Sequence, residues 1–358
     1  MNLLAAPVVI AGVGARTAVG MTGPATAAAV RAGIAGFDSH PFMMDTAGSR
    51  MIVALAPYLS IDVSGVERLS NLAVPAAAEA LAQPVVGLGS KSAVPVFIGM
   101  SQPRPGRSGD LAVVAKRVAT EVSASGLPVG KLSIIQAGHA AGTMAVQAAW
   151  EAIHSGGAEF ALAGGVDSYM DPDTLEWLEA KDQLHSAGLE NNPYGFIPGE
   201  AAGFVLLASA AMAERYNFPA ILELLAVVTT WETRLIKTDT VCLGEGLTAL
   251  FHRLAATHPN LSVNHLYCDM NGEPYRADEF GFATIRAGKV LADPSAFTAP
   301  ADCWGDVGSA SGPLFLLLAK EGRKKGYAPG PVLAGFTSSE TGERCGFLVH
   351  SRHTGGVR

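Results

Sequence analysis

The sequence predicts an α/β fold assembled from two similar halves, layered as an α-β-α-β-α sandwich. Three observations predict it. Short apolar runs of strand character alternate with stretches whose apolar residues recur at helical spacing. Two Gly/Ala/Ser-rich helix starts match each other, at 139–142 and 306–312, and each is followed by a strand ending in small residues and then a closing strand. Such self-similarity marks an internal duplication. Finally, 49% of the 358 residues are hydrophobic and 16% charged, with 41 glycines, which suits a large core with close helix–sheet approach. The halves are expected at 1–212 and 213–358, integrated into one domain, with the equivalent helix starts facing one shared pocket.

Each element follows in order. Residues 7–11 read as a buried strand. Gly12 to Thr17 begins like a dinucleotide fingerprint, but Thr17 stands where the third glycine is needed, so a strand-end turn is expected, then a helix at about 23–32. Residues 36–59 read as irregular. Leu72, Ala73, Ala76, Ala77, Ala80 and Leu81 predict a helix at about 70–82. A strand at 93–99, a loop at 103–109 and a helix at about 110–124 follow. Residues 132–135 read as a buried strand. The next helix spans about 142–154, from the spacing of Met144, Val146, Ala149, Trp150 and Ile153, and stops at Ser155-Gly156-Gly157. A strand at 160–163, a short helix at Pro172–Glu179 and a strand at 204–208 complete the first half. Between the last two, the loop Gly195-Phe196-Ile197-Pro198-Gly199-Glu200 holds one carboxylate, and Glu200 is expected to satisfy backbone N–H groups. The second half reads as a strand at 220–229, a helix at about 245–256 and a strand at 266–270. An apolar helix running to about Lys320, strands at 331–336 and 345–350, and a tail at 351–358 finish it.

Composition excludes several classes of function. The net charge is −7, with no basic block and no interleaved aromatic platform, so nucleic acid is not an expected partner. Cys242, Cys268, Cys303 and Cys345 show no C-x-x-C spacing and read as reduced thiols of a cytoplasmic protein. Residues 4–14 are apolar but lack a basic flank and a cleavage site, so they read as a strand and not a signal peptide. No membrane span and no cofactor are expected.

The chemistry concentrates at Gln136-Ala137-Gly138-His139-Ala140-Ala141-Gly142. A strand turning sharply into a helix presents one side chain where unpaired backbone N–H groups point outward and favour an oxyanion. Nucleophile elbows are built this way. The residue presented here is His139.

These segments resemble the thiolase-like superfamily, and within it the β-ketoacyl synthases of fatty-acid and polyketide assembly, over essentially the whole chain. The resemblance rests on 142–165 with its Ala163-Gly164-Gly165 end, and on the loop 195–203, which is similar to the family's glycine–phenylalanine–glycine–glutamate loop. Asn271-Gly272 and 305–312 correspond to the two motifs that carry the family's histidines. The chain is shorter than typical synthases, mostly between 99 and 131 and around 167–192.

The resemblance implies a thiolate nucleophile at the helix start and two histidines serving decarboxylation and the thioester oxyanion. It places His139 at the cysteine, Asn271 at the first histidine and Asp306 at the second. The family's glycine-rich gate corresponds to 338–344, so the oxyanion and gate backbone would be His139, Thr341 and Gly342. Gly199 and Glu200 are expected to be structural. The implied function is a β-ketoacyl synthase-like protein without condensing activity, acting as a non-catalytic partner subunit in the manner of a chain-length factor, or as a scaffold. The alternative is an acyltransferase or thioester hydrolase with His139 as base and Asp306 orienting it. Cys268 and Cys345 are expected as buried thiols. A metal held by His139 and Asp306 lacks ligand spacing, so none is expected. The family pairs through the strand before the nucleophile, here about 132–136. That implies a homodimer or a heterodimer with a ketosynthase-like chain, with acyl carrier protein as a possible further partner.

Overall fold

The computed structural model describes residues 6–82, 93–107, 109–185 and 192–352. The first half contains β1 (Val8–Thr17), a separate hairpin of β2 (Asp38–Met44) and β3 (Arg50–Val53), then β4 (Val94–Met100), β5 (Val129–Gln136), β6 (Phe160–Ser168) and β7 (Glu200–Ser209). The second contains β8 (Leu222–Trp231), β9 (His265–Cys268), β10 (Phe297–Thr298), β11 (Val332–Ser338) and β12 (Glu343–Ser351). The helices are α1 (Gly23–Arg31), α2 (Gly65–Ala82), α3 (Leu111–Ala124), α4 (Ala141–His154), α5 (Pro172–Glu179), α6 (Ala210–Arg215), α7 (Glu245–Thr257), α8 (Pro274–Ala287), α9 (Ala301–Trp304) and α10 (Ser311–Lys324).

The two halves have the same topology. In space the first half runs β1-β7-β6-β4-β5 and the second β8-β12-β11-β9-β10, the same permutation of strands within each half. From β1 outward the pairings are antiparallel, antiparallel, parallel and parallel. From β8 outward they repeat that sequence. A short antiparallel bridge, Val8 to Leu224 and Val9 to Glu223, joins the halves. α4 and α10 lie between the sheets, α2 and α3 cover the outer face of the first, and α7 covers the second with α8 packed beside it. This is the expected α-β-α-β-α layering. α6 straddles the expected division after residue 212.

The small residues at the helix starts are explained by close approach. Each start is a three-residue 3₁₀ turn followed by a fourteen-residue helix, Gly138–Ala140 with α4 and Gly308–Ala310 with α10. Gly138-His139-Ala140-Ala141-Gly142 thus aligns with Gly308-Ser309-Ala310-Ser311-Gly312. A Cβ on Gly142 would strike the Ser309 carbonyl, and one on Gly312 would strike the Thr143 hydroxyl. The first glycine of each turn has a left-handed φ, +59° at Gly138 and +49° at Gly308, which residues with a Cβ seldom adopt.

Several sequence expectations need correction. Gly12 to Thr17 is not a turn, because β1 continues through Thr17 against β7. Gly14 is there for packing: a Cβ would collide with the α2 backbone at Ala76. Residues 36–59, read as irregular, contain the β2–β3 hairpin, whose Met51 and Val53 cover a small core with Leu175, Leu178 and Phe196. The strand at 132–135 is not buried. β5 is the edge of the sheet, and Leu132 is 36% exposed. Glu200 does not sit in the loop but begins β7. Helix α8, unseen in the sequence, starts with Pro274 in its first turn and buries Phe280, Ala283 and Ala287 at helical spacing. Ser351 closes β12, and the rest of the expected tail, 353–358, lies outside the described residues, as do residues 4–5 of the first apolar run.

Candidate functional site

His139 sits in the 3₁₀ turn between β5 and α4, 8% exposed, and Asp306 approaches it from the segment before the second turn. The turn is held by Ser339, whose Oγ accepts from the Ala140 N–H at 2.8 Å and donates to the Ala137 carbonyl. Gly199 holds the opposite wall. Its N–H donates to the Asp306 carbonyl at 2.8 Å, and the Ile197 carbonyl accepts the Asp306 N–H at 2.7 Å. A Cβ on Gly199 would press on the Trp304 and Asp306 carbonyls.

The His139 Nε2–H donates to both Asp306 carboxylate oxygens, at 2.8 and 2.9 Å. Asp306 also accepts from Asn271 Nδ2 at 2.7 Å, the Gly308 N–H at 2.8 Å and the Tyr169 hydroxyl at 3.4 Å. Burial by itself raises a carboxyl, but the His139 charge and hydrogen bond, Arg276 and the Gly308 amide outweigh it. Asp306 is held well below the usual carboxylate range. Burial likewise lowers an imidazole, and Arg276 adds to that; Asp306 overrides both, so the His139 pKa is raised. The two side chains form a close buried pair, 11% and 3% exposed, in which each favours the charged form of the other.

Around it lies a charged network that the sequence did not disclose. Arg276, in the unforeseen α8, places Nη2 3.3 Å from His139 Nε2 and binds Asp269 at 3.0 Å and the Ser338 carbonyl at 3.1 Å. Glu273 accepts from Asn271 at 3.0 Å and Tyr275 at 2.7 Å. It also pairs with Lys237 at 2.9 Å. Burial would raise Glu273, but Arg276 and Lys237 hold it down. On the other side Arg104 and Arg107 share Asp167 at 2.7 and 3.3 Å, and Arg104 lies 4.2 Å over the Tyr169 ring. Lysine and arginine placements of this kind carry no sequence spacing signal. Pro274 at a helix start was the one available pointer to Arg276.

His139, Asp167, Tyr169, Trp177, Phe196 and Glu340 are among the residues enclosing a cavity of about 90 Å³. That is room for about three waters, against roughly 300–1,000 Å³ for ordinary small-molecule sites. His139, Asn271 and Asp306 therefore come together, whereas the Thr341 hydroxyl and the Gly342 N–H are engaged elsewhere. Thr341 Oγ1 accepts from Gln102 and donates to Glu343, and the Gly342 N–H donates to the Ser339 carbonyl at 3.1 Å across its own turn. Glu200 is in a buried pair with Arg68, at 2.6 Å to each oxygen, and accepts the Ala56 N–H at 2.9 Å. Cys268 and Cys345 are fully buried, and burial pushes both thiols up, Cys345 to about 12. Neither is a ready thiolate. The one grouping of three or more metal-competent side chains among the described residues lies elsewhere.

The duplicated five-layer architecture, with a polar cluster where the two helix starts meet, defines a thiolase-like fold. A sequence profile of the β-ketoacyl synthase N-terminal domain matches residues 68–213, so that stretch is β-ketoacyl synthase-like in sequence as well as in fold. Two solved structures superpose on 97% of this chain and on 100% of their own. One is a type II polyketide synthase acyl-carrier protein in complex with its ketosynthase bound to the hexaketide (TM-score 0.80, 17% identity). The other is the ishigamide ketosynthase/chain length factor (TM-score 0.78, 17% identity). A ketosynthase from module 6 of the Bacillus subtilis bacillaene synthase is similar over 97% of this chain and 72% of its own (TM-score 0.77, 11% identity). In sequence, the chain is 30% identical over 182 residues to the non-reducing polyketide synthase pkbA of Emericella nidulans. The match covers 47% of this chain and 7% of that synthase. Among the described residues no helix is long and apolar enough to cross a membrane.

Proposed function

We propose that this chain is a non-condensing, ketosynthase-like subunit whose ancestral nucleophile position has become a salt-bridged plug. The observation that carries the reading is the His139–Asp306 contact, in which both carboxylate oxygens lie within 2.9 Å of Nε2. Condensation needs a thiolate at the helix start and oxyanion donors opposite. Here a histidine is locked to a carboxylate, and a cavity of about 90 Å³ gives an acyl chain little room. The same contact weighs against the hydrolase alternative, because both Asp306 oxygens already occupy His139 Nε2.

The partner is a second thiolase-like chain, either a copy of this one or a ketosynthase-like chain, joined along β5. That edge leaves a row of backbone groups unpaired within the monomer and displays Leu132, a ready template for strand addition. The neighbours that include a chain length factor and an acyl-carrier complex support this reading.

The test is intact-protein mass after incubation with a panel of acyl-thioesters, with thiol release scored in parallel. No adduct and no release above the thioester blank are expected. Turnover that disappears in His139→Ala would overturn the reading in favour of catalysis, and an adduct lost in Cys268→Ala would do the same.

A further inference from the structure

We propose that Glu232, Cys242 and Glu279 form a structural site for a zinc-class divalent cation, with Cys242 Sγ as its thiolate ligand. One ligand atom from each residue lies within 4.8 Å of the other two. They come from three segments: Glu232 follows β8, Cys242 belongs to the stretch leading to α7, and Glu279 is in the middle of α8. Glu232 and Glu279 are 3% and 1% exposed, while Cys242 is only half-buried, so the cluster is reached from the Cys242 side. Glu232 is aimed by the Arg234 and Gly246 amides, at 3.0 and 2.8 Å, which leaves lone pairs on both oxygens.

A second observation concerns a neighbouring side chain that supplies none of the ligands. Arg344 is wholly buried, and its Nη2 has no hydrogen-bond partner among the described residues. Its Nε donates to Glu279 Oε1 at 2.6 Å and its Nη1 to the Ser339 carbonyl at 2.7 Å. Nε and Nη2 form one edge of the guanidinium fork, so Nη2 faces the Glu279 side of the cluster. A water completing a cation's coordination shell supplies the oxygen that this N–H lacks.

Charge balance agrees. Two carboxylates and a thiolate carry three negative charges, and Arg344 with a divalent cation cancels them. One sulfur with two oxygens suits zinc over magnesium or calcium. Ordinary zinc bonds place ligand atoms about 3.5 Å apart, so the Cys242 segment would draw in by about 1 Å on binding. Binding exchanges the Cys242 S–H bond for an S–Zn bond and releases one proton to solvent. The site would brace the gate, since the Glu232 N–H donates to the Gly342 carbonyl at 2.7 Å.

The full chain is titrated with Zn²⁺ against a chromophoric chelator and, separately, with Co²⁺. One ion per chain, one proton released and a near-ultraviolet thiolate–cobalt band are expected. Cys242→Ser, at a half-exposed position that folding tolerates, should abolish the band and weaken zinc binding by more than about tenfold, the lower end of what an outer-layer partner costs. Absence of stoichiometric binding, or binding and spectra unchanged in Cys242→Ser, overturns the proposal. Circular-dichroism melts confirm that the variant is folded.

Discussion

Replacing Asp306 by Asn tests the ion pair at the centre of the molecule. The substitution keeps the side chain's shape but turns one acceptor oxygen into an NH₂ group. That group would face the His139 ring N–H, Asn271 Nδ2, the Gly308 amide or the Tyr169 hydroxyl, all of them donors in the native structure. Removing one partner of a buried pair costs about 3–5 kcal/mol. The low end, about 3 kcal/mol, is expected because His139 can shed its proton in the variant and so escape part of the penalty. In melting temperature that is a drop of about 6 °C, taken at about 2 °C per kcal/mol for a large chain. The pH dependence carries the sharper signature. The folded pKa of His139 is raised, so its contribution is complete below the unfolded value of about 6.5 and is lost as pH rises through the folded value. That of Asp306 is lowered, so its contribution is complete above about 3.9 and is lost as pH falls toward the folded value. The gap between native and variant stability should therefore be widest from about pH 4 to 6.5 and shrink above neutrality. Denaturant unfolding across pH measures it. A gap below about 1 kcal/mol between about pH 4 and 6.5 would refute a charged pair.

Three further outcomes are expected. His139→Cys should alkylate slowly with iodoacetamide, because the Asp306 carboxylate disfavours the thiolate, whereas His139→Cys with Asp306→His should alkylate markedly faster; intact mass against time reads both. Gly142→Ala should destabilise by about 3 kcal/mol or prevent folding, since its methyl would meet the Ser309 carbonyl and backbone cannot yield as a side chain does; expression yield and denaturant midpoint check this. Leu132→Arg on the exposed edge of β5 should leave the melting temperature within about 2 °C while dissociating any complex formed along that edge, as read by light scattering after size exclusion.

Much of the fold was legible because two periodicities were strong. The apolar spacing at 142–154 and the glycine stop behind it describe α4 almost to the residue, and Pro172 marks the start of α5. The unread parts share a physical cause. β1 beyond Ala11 looks like a turn because its glycines serve packing against α2, not chain reversal. β2 is half-polar, and β3, apolar from Met51 to Val53, is only four residues long, so neither stands out as a buried strand. At the centre, the sequence brought His139, Asn271 and Asp306 to attention from three distant segments, and they meet in one hydrogen-bonded group. What could not be read was the network that decides their protonation. Arg276 and Tyr169 gain their role only from where α8 and the end of β6 come to rest, and no local pattern encodes that.

The reciprocal contact between the two helix starts has a consequence for how this chain can vary. Gly142 leaves room for the Ser309 carbonyl, and Gly312 for the Thr143 hydroxyl. Each turn is thus the mould in which the other is cast. A side chain added to one is judged by the atoms of its counterpart 170 positions away in the sequence. The side chain at 139 answers to Asp306 and the cavity lining, both of which are side-chain surroundings that can change with it. The glycines flanking it answer to the opposite half, so any accepted change there would have to come as a pair.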